Sequence, residues 1–557
     1  MIYQKPVFKK NIITDILLIT IFCSIYTYWF FRDLDKQGVY CDVALFGNAA
    51  LSVKNNLPDC YCSVSVDIFG KKIPLMLNNY TAATDIYATL PWVYLFGNKP
   101  IALNVPSFIY GFLASVLLYL LCLRIYHNRI YSALISLMLV TYPPFIIAGR
   151  LGLFMGISAI FFALASIFLL CLWQEKKGKL WLFLMGMFMG AGLAGRIQFL
   201  WVINAIFIYV FLIKSLRHKF FIPKNIITCL AGITIGAFSL ILGNFSGNFL
   251  TLRFFSKYAL ISGTGLSNLN YPANFLERLR EVVSLMNSTG LRSAAAHPNY
   301  IGIYLFIAGV IFIVLGAFYR YVKNQQIASS NQLLPFFIFI FVFIQAPFTP
   351  SLFDTHHIIV LLPFMCMIYS MPIYILLEII KNDRKPVKMA FCSPRGLLQF
   401  AVGSAALIMI VLFILHNYKL LAIDKAYRNI HSGTELKWNV MSDVLNFLDT
   451  RGIKSVGLGD TGLMDTMLFL SNFSLSADEV FYAPYKAIPK DEQEESLKSR
   501  FNNEKEGYYL FRIEEGSWIH FFSDFQRLVS KCNKHIELFR EFRTPDDELM
   551  YVLYKVY

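Results

Sequence analysis

Apolar residues recur in runs of about 20 along the first 416 positions, the length needed to cross a bilayer core as a helix. The runs fall at approximately 11–31, 104–124, 131–148, 153–173, 180–195, 198–213, 225–243, 302–320, 333–347, 358–380 and 397–416, which predicts about 11 transmembrane helices. Two polar stretches, 32–103 and 244–301, interrupt them, and from about Tyr418 the composition turns mixed and soluble-like. The pattern predicts an α-helical polytopic membrane protein: residues 1–416 form the transmembrane domain and residues 417–557 a small α/β domain. In that tail Glu435–Asp449 and Ile519–Val529 read as helices, and Ser455–Gly459, Tyr508–Ile513 and Leu549–Tyr554 as strands. Its roughly 130 residues are enough to bury a core of their own.

The polar stretches have patterns of their own. Val43, Phe46, Ala50 and Val53 step by three and four, so an amphipathic helix should lie along the outer membrane surface. Asp42 would sit at its N-terminus, where the helix dipole favours a carboxylate; a plain capping aspartate would occupy the same place. Asp85 lies in a second helix-like run ending at Gly97. In the second stretch, Phe275, Leu279 and Val282 repeat at helical spacing with Glu277, Arg278 and Arg280 between them. Such a helix would either cover a cavity at the interface or pack, solvated, against the C-terminal domain.

Charge sets the orientation. The chain is 57% hydrophobic and only 15% charged, with a formal net charge of +15, against roughly 25% charged residues in a soluble domain. Soluble-enzyme and nucleic-acid readings of that positive charge fall away, because Lys and Arg mark cytoplasmic loops in membrane proteins. With the N-terminus inside, every inside loop is basic, from Lys5, Lys9 and Lys10 to Lys381, Arg384, Lys385, Lys388 and Arg395. The short outside connections hold only Arg150 and Arg196. Stretches 32–103 and 244–301 and the tail are therefore expected outside the cytoplasm. The first apolar run is too long for a cleavable signal peptide, which favours a bacterial or archaeal inner membrane.

Cysteine and glycine motifs add little. Cys23, Cys122, Cys171, Cys229 and Cys366 lie in predicted spans as apolar packing residues. Cys60 and Cys62 are too close for the usual zinc pair, and no metal motif is apparent. Cys41 shares their loop, so an oxidising compartment would allow it a disulfide with either. Gly457-Leu-Gly-Asp-Thr-Gly462 spells a dinucleotide fingerprint, but a tight strand-to-helix turn accounts for the glycines where no NAD is expected. No cofactor is expected.

Polar residues at membrane depth are costly unless they face protein or water, and the outer ends of the spans collect several. Arg150 follows Tyr142-Pro-Pro; Arg196 ends Gly192-Leu-Ala-Gly-Arg196; Asp354, His356 and His357 crowd the start of the tenth span. Singly, each arginine would merely snorkel to headgroups. Together they suit an anionic lipid phosphate.

The order of these motifs carries a resemblance. An acidic residue after the first span at Asp42, Asn79-Tyr-Thr-Ala-Ala-Thr-Asp-Ile-Tyr87, Leu90-Pro-Trp-Val-Tyr-Leu-Phe-Gly97, Val105-Pro-Ser, Tyr142-Pro-Pro with Gly149-Arg-Leu151, Arg196 and His357-Ile-Ile-Val-Leu-Leu-Pro363 follow one another. Over roughly residues 11–380 the chain resembles polytopic glycosyltransferases of the GT-C type, close to the protein O-mannosyltransferase and lipid A aminoarabinose transferase group. Val43 stands where many members carry a second acid, and the tail after residue 417 is similar to no member, so the acceptor is open. The resemblance implies inverting transfer of a sugar from a polyprenyl-phosphate donor to a lipid, glycan or protein acceptor. Asp42 would be the general base. Arg196, with Arg150 or His357, would bind the donor phosphate and stabilise its developing charge. Tyr80, Asp85, Asp354 and His356 would contact substrate. Some members of the wider fold class bind a divalent metal through paired carboxylates.

Two other classes compete. A transporter or flippase calls for repeats and charged or broken helices near the midplane, whereas the polar residues here gather at the outer ends. A catalytically dead receptor would place the function in the tail. Asp15, inside the first span, belongs to none of these readings.

Overall fold

The computed structural model describes residues 11–32, 34, 38–57, 60–258, 267–289, 298–322, 332–348, 355–382, 394–431, 438–459, 462–480, 490–503, 506–513, 520–544 and 547–557. Six helices among them are long and apolar enough to cross a bilayer: Ile12–Phe31 (α1), Ile101–Tyr126, Ile157–Lys176, Ile301–Phe318, Ile359–Glu378 and Ala401–Ile423. Three bent pairs raise the number to nine, and Lys179–Gly195 and Leu334–Phe348 are apolar but shorter. All eleven predicted stretches are thus helical, while length and composition support six to nine crossings. The bend of 57° between Arg129–Val140 and Pro143–Leu151 falls at Pro143-Pro144, where the chain lacks two amide donors.

Asp15 finds its reason here. Its Oδ1 accepts from the Tyr119 hydroxyl at 2.6 Å and from Arg129 Nε at 2.7 Å. The ion pair ties α1 to the next two helices at the end of the bundle remote from Asp42.

Between α1 and the second span, Cys41–Lys54 forms a helix (α2), Val64–Ile68 and Lys71–Met76 an antiparallel hairpin (β1 and β2), and Thr84–Phe96 a helix (α3). The sequence reading missed the hairpin, whose first strand is only half-buried and lacks a clear alternation. It also placed α2 along the membrane surface on one apolar face. Instead Val43 through Ser52 are buried or half-buried on every side. Ala44, Leu45 and Leu51 make the opposite face apolar too, and a helix apolar all round needs cover all round.

The C-terminal segment supplies that cover. Ser455–Leu458, Ser476–Glu479, Gly507–Arg512, Ile536–Arg543 and Leu549–Val556 (β3 to β7) form a five-stranded mixed sheet in the order β4-β3-β5-β7-β6. Two of these strands, β4 and β6, were not expected; β6 alternates with charged residues in Ile-Glu-Leu-Phe-Arg-Glu-Phe-Arg. One face of the sheet shares a continuous apolar core with α2 and α3, in which Val43, Phe46 and Ile86 meet Val444, Val456, Met467 and Phe469. The expected self-sufficient core is therefore partly a shared one. The expected boundary at 416/417 also shifts, because Pro394–His431 is a single helix running from the last span into the segment before the sheet.

Glycines in the fingerprint serve packing. A side chain at Gly457 would meet the Tyr509 ring at 2.5 Å and one at Gly459 the Phe511 ring at 2.1 Å. The Gly462 amide donates to Glu479 Oε1 at 2.6 Å, so a carboxylate already occupies the place a nucleotide phosphate would take.

Candidate active site

The end of the bundle next to α2 is organised by a glycine-flanked turn. Leu153–Met155 joins the helix Pro143–Leu151 to the helix Ile157–Lys176, with Gly152 at φ 104° and Gly156 at φ 84°. Both values lie in the left-handed region that only glycine enters without strain. A side chain at Gly152 would strike Val43, next to Asp42, at 2.6 Å; one at Gly156 would strike Ile359 at 2.9 Å and lie 3.2 Å from the His356 carbonyl. The turn thus brings α2, the Arg196 connection and the His356 connection together. Its Phe154 ring faces Arg196 at 4.7 Å, His356 at 5.2 Å and Tyr40 at 6.3 Å. A guanidinium over an aromatic face is held by the ring quadrupole.

Tyr80 is placed by an Asx turn. Asn78 Oδ1 accepts from the amides of Tyr80 and Thr81 at 3.1 and 2.8 Å, and the Ala82 amide donates to the Ala194 carbonyl at 2.9 Å. The loop is thereby hooked to the end of the helix that Arg196 terminates. Burial raises the Tyr80 phenol above its usual range, Asp42 raises it further and Arg196 lowers it. Asp42, in the first turn of α2, and Arg196 therefore both act on one hydroxyl.

Asp85 lies in the first turn of α3 and is fully buried. Ser158 Oγ donates to its Oδ2 at 3.3 Å, while Oδ1 has no hydrogen-bond partner among the described residues. Burial pushes the carboxyl up to about 6, against the opposing pull of Arg196 and the Ser158 bond. Its oxygens stand 3.7–3.8 Å from where a side chain at Gly195 would begin.

A residue that periodicity passed over completes the cluster. In the helix Tyr271–Met286, Arg278 is the largest fully buried side chain, and Asn274, Val282 and Leu285 are buried with it. Of the expected face, Val282 is buried and Phe275 half-buried, but Leu279 is turned outward, 38% exposed. Arg278 can face inward because it is satisfied: Nη1 pairs with Glu281, Nε donates to the Ala346 carbonyl at 3.3 Å, and Nη2 lies 3.4 Å from His357 Nδ1. Placing Arg278 required the tertiary fold, although its position one turn ahead of Glu281 was a signal. The same contacts seat this helix on the bundle next to the site, not on the C-terminal sheet. His357 is held well below the ordinary imidazole range by burial, by His356 and by the arginines 278 and 196.

Of the sequence candidates, the structure gathers Asp42, Tyr80, Asp85, Arg196, His356 and His357. Arg150 is buried two residues before Gly152, and Asp354 lies outside the described residues. Beside Tyr80 opens a pocket of about 270 Å³ lined by Trp201, Asn204, Phe254, Gln345 and Phe348. Among the described residues no cluster of three or more His, Cys, Asp or Glu could hold a metal ion. Cys41 cannot reach Cys60: Cys60 lies by Ser52, eleven residues along the helix that Cys41 begins, or roughly 16 Å. Cys41 instead touches Gly462 of the C-terminal segment, 3.3 Å from where a side chain there would begin.

The sequence profile of the dolichyl-phosphate-mannose-protein mannosyltransferases matches residues 89–242. No curated protein sequence matches the chain. Among solved structures, ArnT from Cupriavidus metallidurans bound to undecaprenyl phosphate aligns at a TM-score of 0.59 and 10% identity, over 96% of this chain and 97% of that one. The archaeal oligosaccharyltransferase AglB from Archaeoglobus fulgidus, in complex with an inhibitory peptide and a dolichol-phosphate, aligns at 0.54 and 10% identity, over 98% and 74%. The fold along nearly the whole chain is thus similar to that of ArnT and AglB, and residues 89–242 carry the sequence pattern of the dolichyl-phosphate-mannose-protein mannosyltransferases.

Proposed function

We propose that this protein moves a sugar from a polyprenyl-phosphate donor to an acceptor hydroxyl at the extracytoplasmic face of the membrane, inverting the anomeric carbon. The observation that carries the reading is the Phe154 turn, which packs Gly152 against Val43 beside Asp42 and sets its ring 4.7 Å from the Arg196 guanidinium. A candidate base and a candidate phosphate cation then serve one site. In the transfer the acceptor oxygen bonds to the anomeric carbon as the bond from that carbon to the phosphate oxygen breaks. The acceptor proton passes to Asp42, and the electron pair leaves on the lipid phosphate.

The phosphate would be met by Arg196, held over the Phe154 ring, where a low-dielectric boundary strengthens each charge interaction. Arg278 points its donor at His357 Nδ1, which leaves the imidazole proton on Nε2. His357 would therefore act as a neutral hydrogen-bond donor to phosphate. Positive-inside charge supports an N-terminus in the cytoplasm and the C-terminal sheet on the site's side of an inner membrane. The ArnT structure bound to undecaprenyl phosphate and the AglB complex with a dolichol-phosphate favour a lipid-phosphate donor.

The test is release of polyprenyl phosphate from labelled polyprenyl-phosphate sugars by the purified protein. Asp42→Asn should abolish release while the protein keeps its wild-type melting temperature. A fully active Asp42→Asn protein would remove Asp42 as the base, and no release from any sugar tested would refute the transferase reading.

A further inference from the structure

The dithiol after α2 has no part in that chemistry. Cys60 and Cys62 are both half-buried free thiols, and they flank Tyr61. The Cys62 amide donates to the Cys60 carbonyl at 2.7 Å. This three-residue turn draws the two Cα atoms within the short span a disulfide tolerates. Cys62 Sγ donates to the Val64 carbonyl at 3.4 Å, Ser52 Oγ donates to Cys60 Sγ at 3.6 Å, and the Tyr61 amide donates back to Ser52 Oγ at 3.2 Å. The residue between them ties down the C-terminal segment. The Tyr61 hydroxyl donates to Asp465 Oδ1, and its ring packs on Phe473 at 5.9 Å.

We propose that Cys60 and Cys62 form a reversible dithiol–disulfide site that exchanges with low-molecular-weight disulfides, Cys60 attacking and Cys62 resolving, and that its oxidation loosens the C-terminal sheet through Tyr61. The Cys60 thiolate attacks one sulfur of the small disulfide, forming a mixed disulfide and expelling one thiolate. Cys62 gives up its proton and attacks the Cys60 sulfur, closing the internal disulfide and expelling the second thiolate. The two protein protons end on the two released thiols, and one disulfide is reduced for the one formed.

The roles follow from the surroundings. Ser52 donates to the Cys60 sulfur and so favours its thiolate, whereas Cys62 donates to the Val64 carbonyl; the neighbouring Cys62 thiol, Ser52 and Lys72 draw Cys60 down to about 7 against its burial, and Cys62 is pushed up by Cys60 and by burial. A disulfide across a single residue closes a small strained ring, and strained disulfides are the easily reduced ones. Closing it must re-form the turn at Tyr61, whose amide and hydroxyl hold Ser52 and Asp465.

The experiment uses the full-length protein in detergent, reduced, freed of reductant, exposed to oxidised glutathione, then alkylated and mapped by peptide mass spectrometry. A thiol near pKa 7 is about half ionised at pH 7, against about 3% for an unperturbed one, but its lower nucleophilicity offsets much of that. Cys60 should therefore react about three-fold faster than the cysteine of an unstructured peptide mixed in as a reference at pH 7, with a rate that levels off above about pH 8. The wild-type protein should end with Cys60 joined to Cys62, and Cys62→Ser should stop at the glutathione adduct on Cys60. Amide exchange in the helix Met464–Leu470 should rise on oxidation and return on reduction. A Cys62 that reacts as fast as Cys60, or a glutathione adduct that persists on wild-type Cys60, overturns the dithiol site. Exchange unchanged by oxidation overturns the coupling to the sheet.

Discussion

Replacing Asp85 by asparagine tests the electrostatics of the phosphate site. Asp85 titrates near 6, up from 3.8, which corresponds to about 3 kcal/mol in favour of its neutral form. Below that pH Arg196 faces a neutral carboxyl; above it, a carboxylate partly cancels the guanidinium that would bind the donor phosphate. Binding is reciprocal, so the phosphate must raise the Asp85 pKa by as much as ionised Asp85 weakens the phosphate. At an effective dielectric of about 20, a unit charge about 12 Å away is worth about one pKa unit, and a closer one more. One unit means that affinity for polyprenyl phosphate falls about tenfold as the pH rises from 5 to 8. The phosphate's own second ionisation acts in the opposite sense, and it cancels in the ratio of wild-type to Asp85→Asn dissociation constants. Equilibrium binding of radiolabelled polyprenyl phosphate to both proteins between pH 5 and 8 measures that ratio. It should climb about tenfold in favour of the variant. A ratio flat across the range would show that Asp85 and the phosphate do not share a field, and the donor site would have to lie elsewhere.

Other consequences can be checked alongside. The raised Asp85 carboxyl contributes stability that is fully present below about pH 3.8 and is lost as the pH rises through about 6; Asp85→Asn should flatten the fall in melting temperature over that window. Arg278→Ala removes the buried ion pair with Glu281 and the donor to the Ala346 carbonyl, and should cost about 3–5 kcal/mol, seen as a drop in melting temperature, with weaker donor binding by the same isotherms. An alanine at Gly156 would be strained at φ 84° and collide with Ile359, so Gly156→Ala should lower kcat well beyond any change in melting temperature; equal activity would show that Phe154 does not order the site. Tyr61→Phe removes the hydroxyl bond to Asp465, whose carboxyl burial pushes up to about 6. Exchange in Met464–Leu470 should rise more at pH 8 than at pH 5, since an ionised Asp465 then loses its donor.

Much of this protein is legible in its sequence because bilayer physics leaves few choices. A run of about 20 apolar residues can satisfy its backbone in lipid only as a helix, and basic loops on one side orient the set. Those two rules place Asp42, Arg196 and His357 at one end of the bundle without any contact being known. Local rules failed where burial depends on a distant partner. Arg278 looks like a surface charge until Ala346, His357 and Glu281 come together around it. The Asp42 helix looks amphipathic until the C-terminal sheet covers its second face. Asp85 is an ordinary carboxyl in the sequence; only the packing of Ser158 and Gly195 around it removes its water and shifts its pKa. Hydrophobic period and charge bias are properties of a segment, whereas desolvation and electrostatic coupling belong to neighbours brought together across the chain, and the tertiary structure alone decides those.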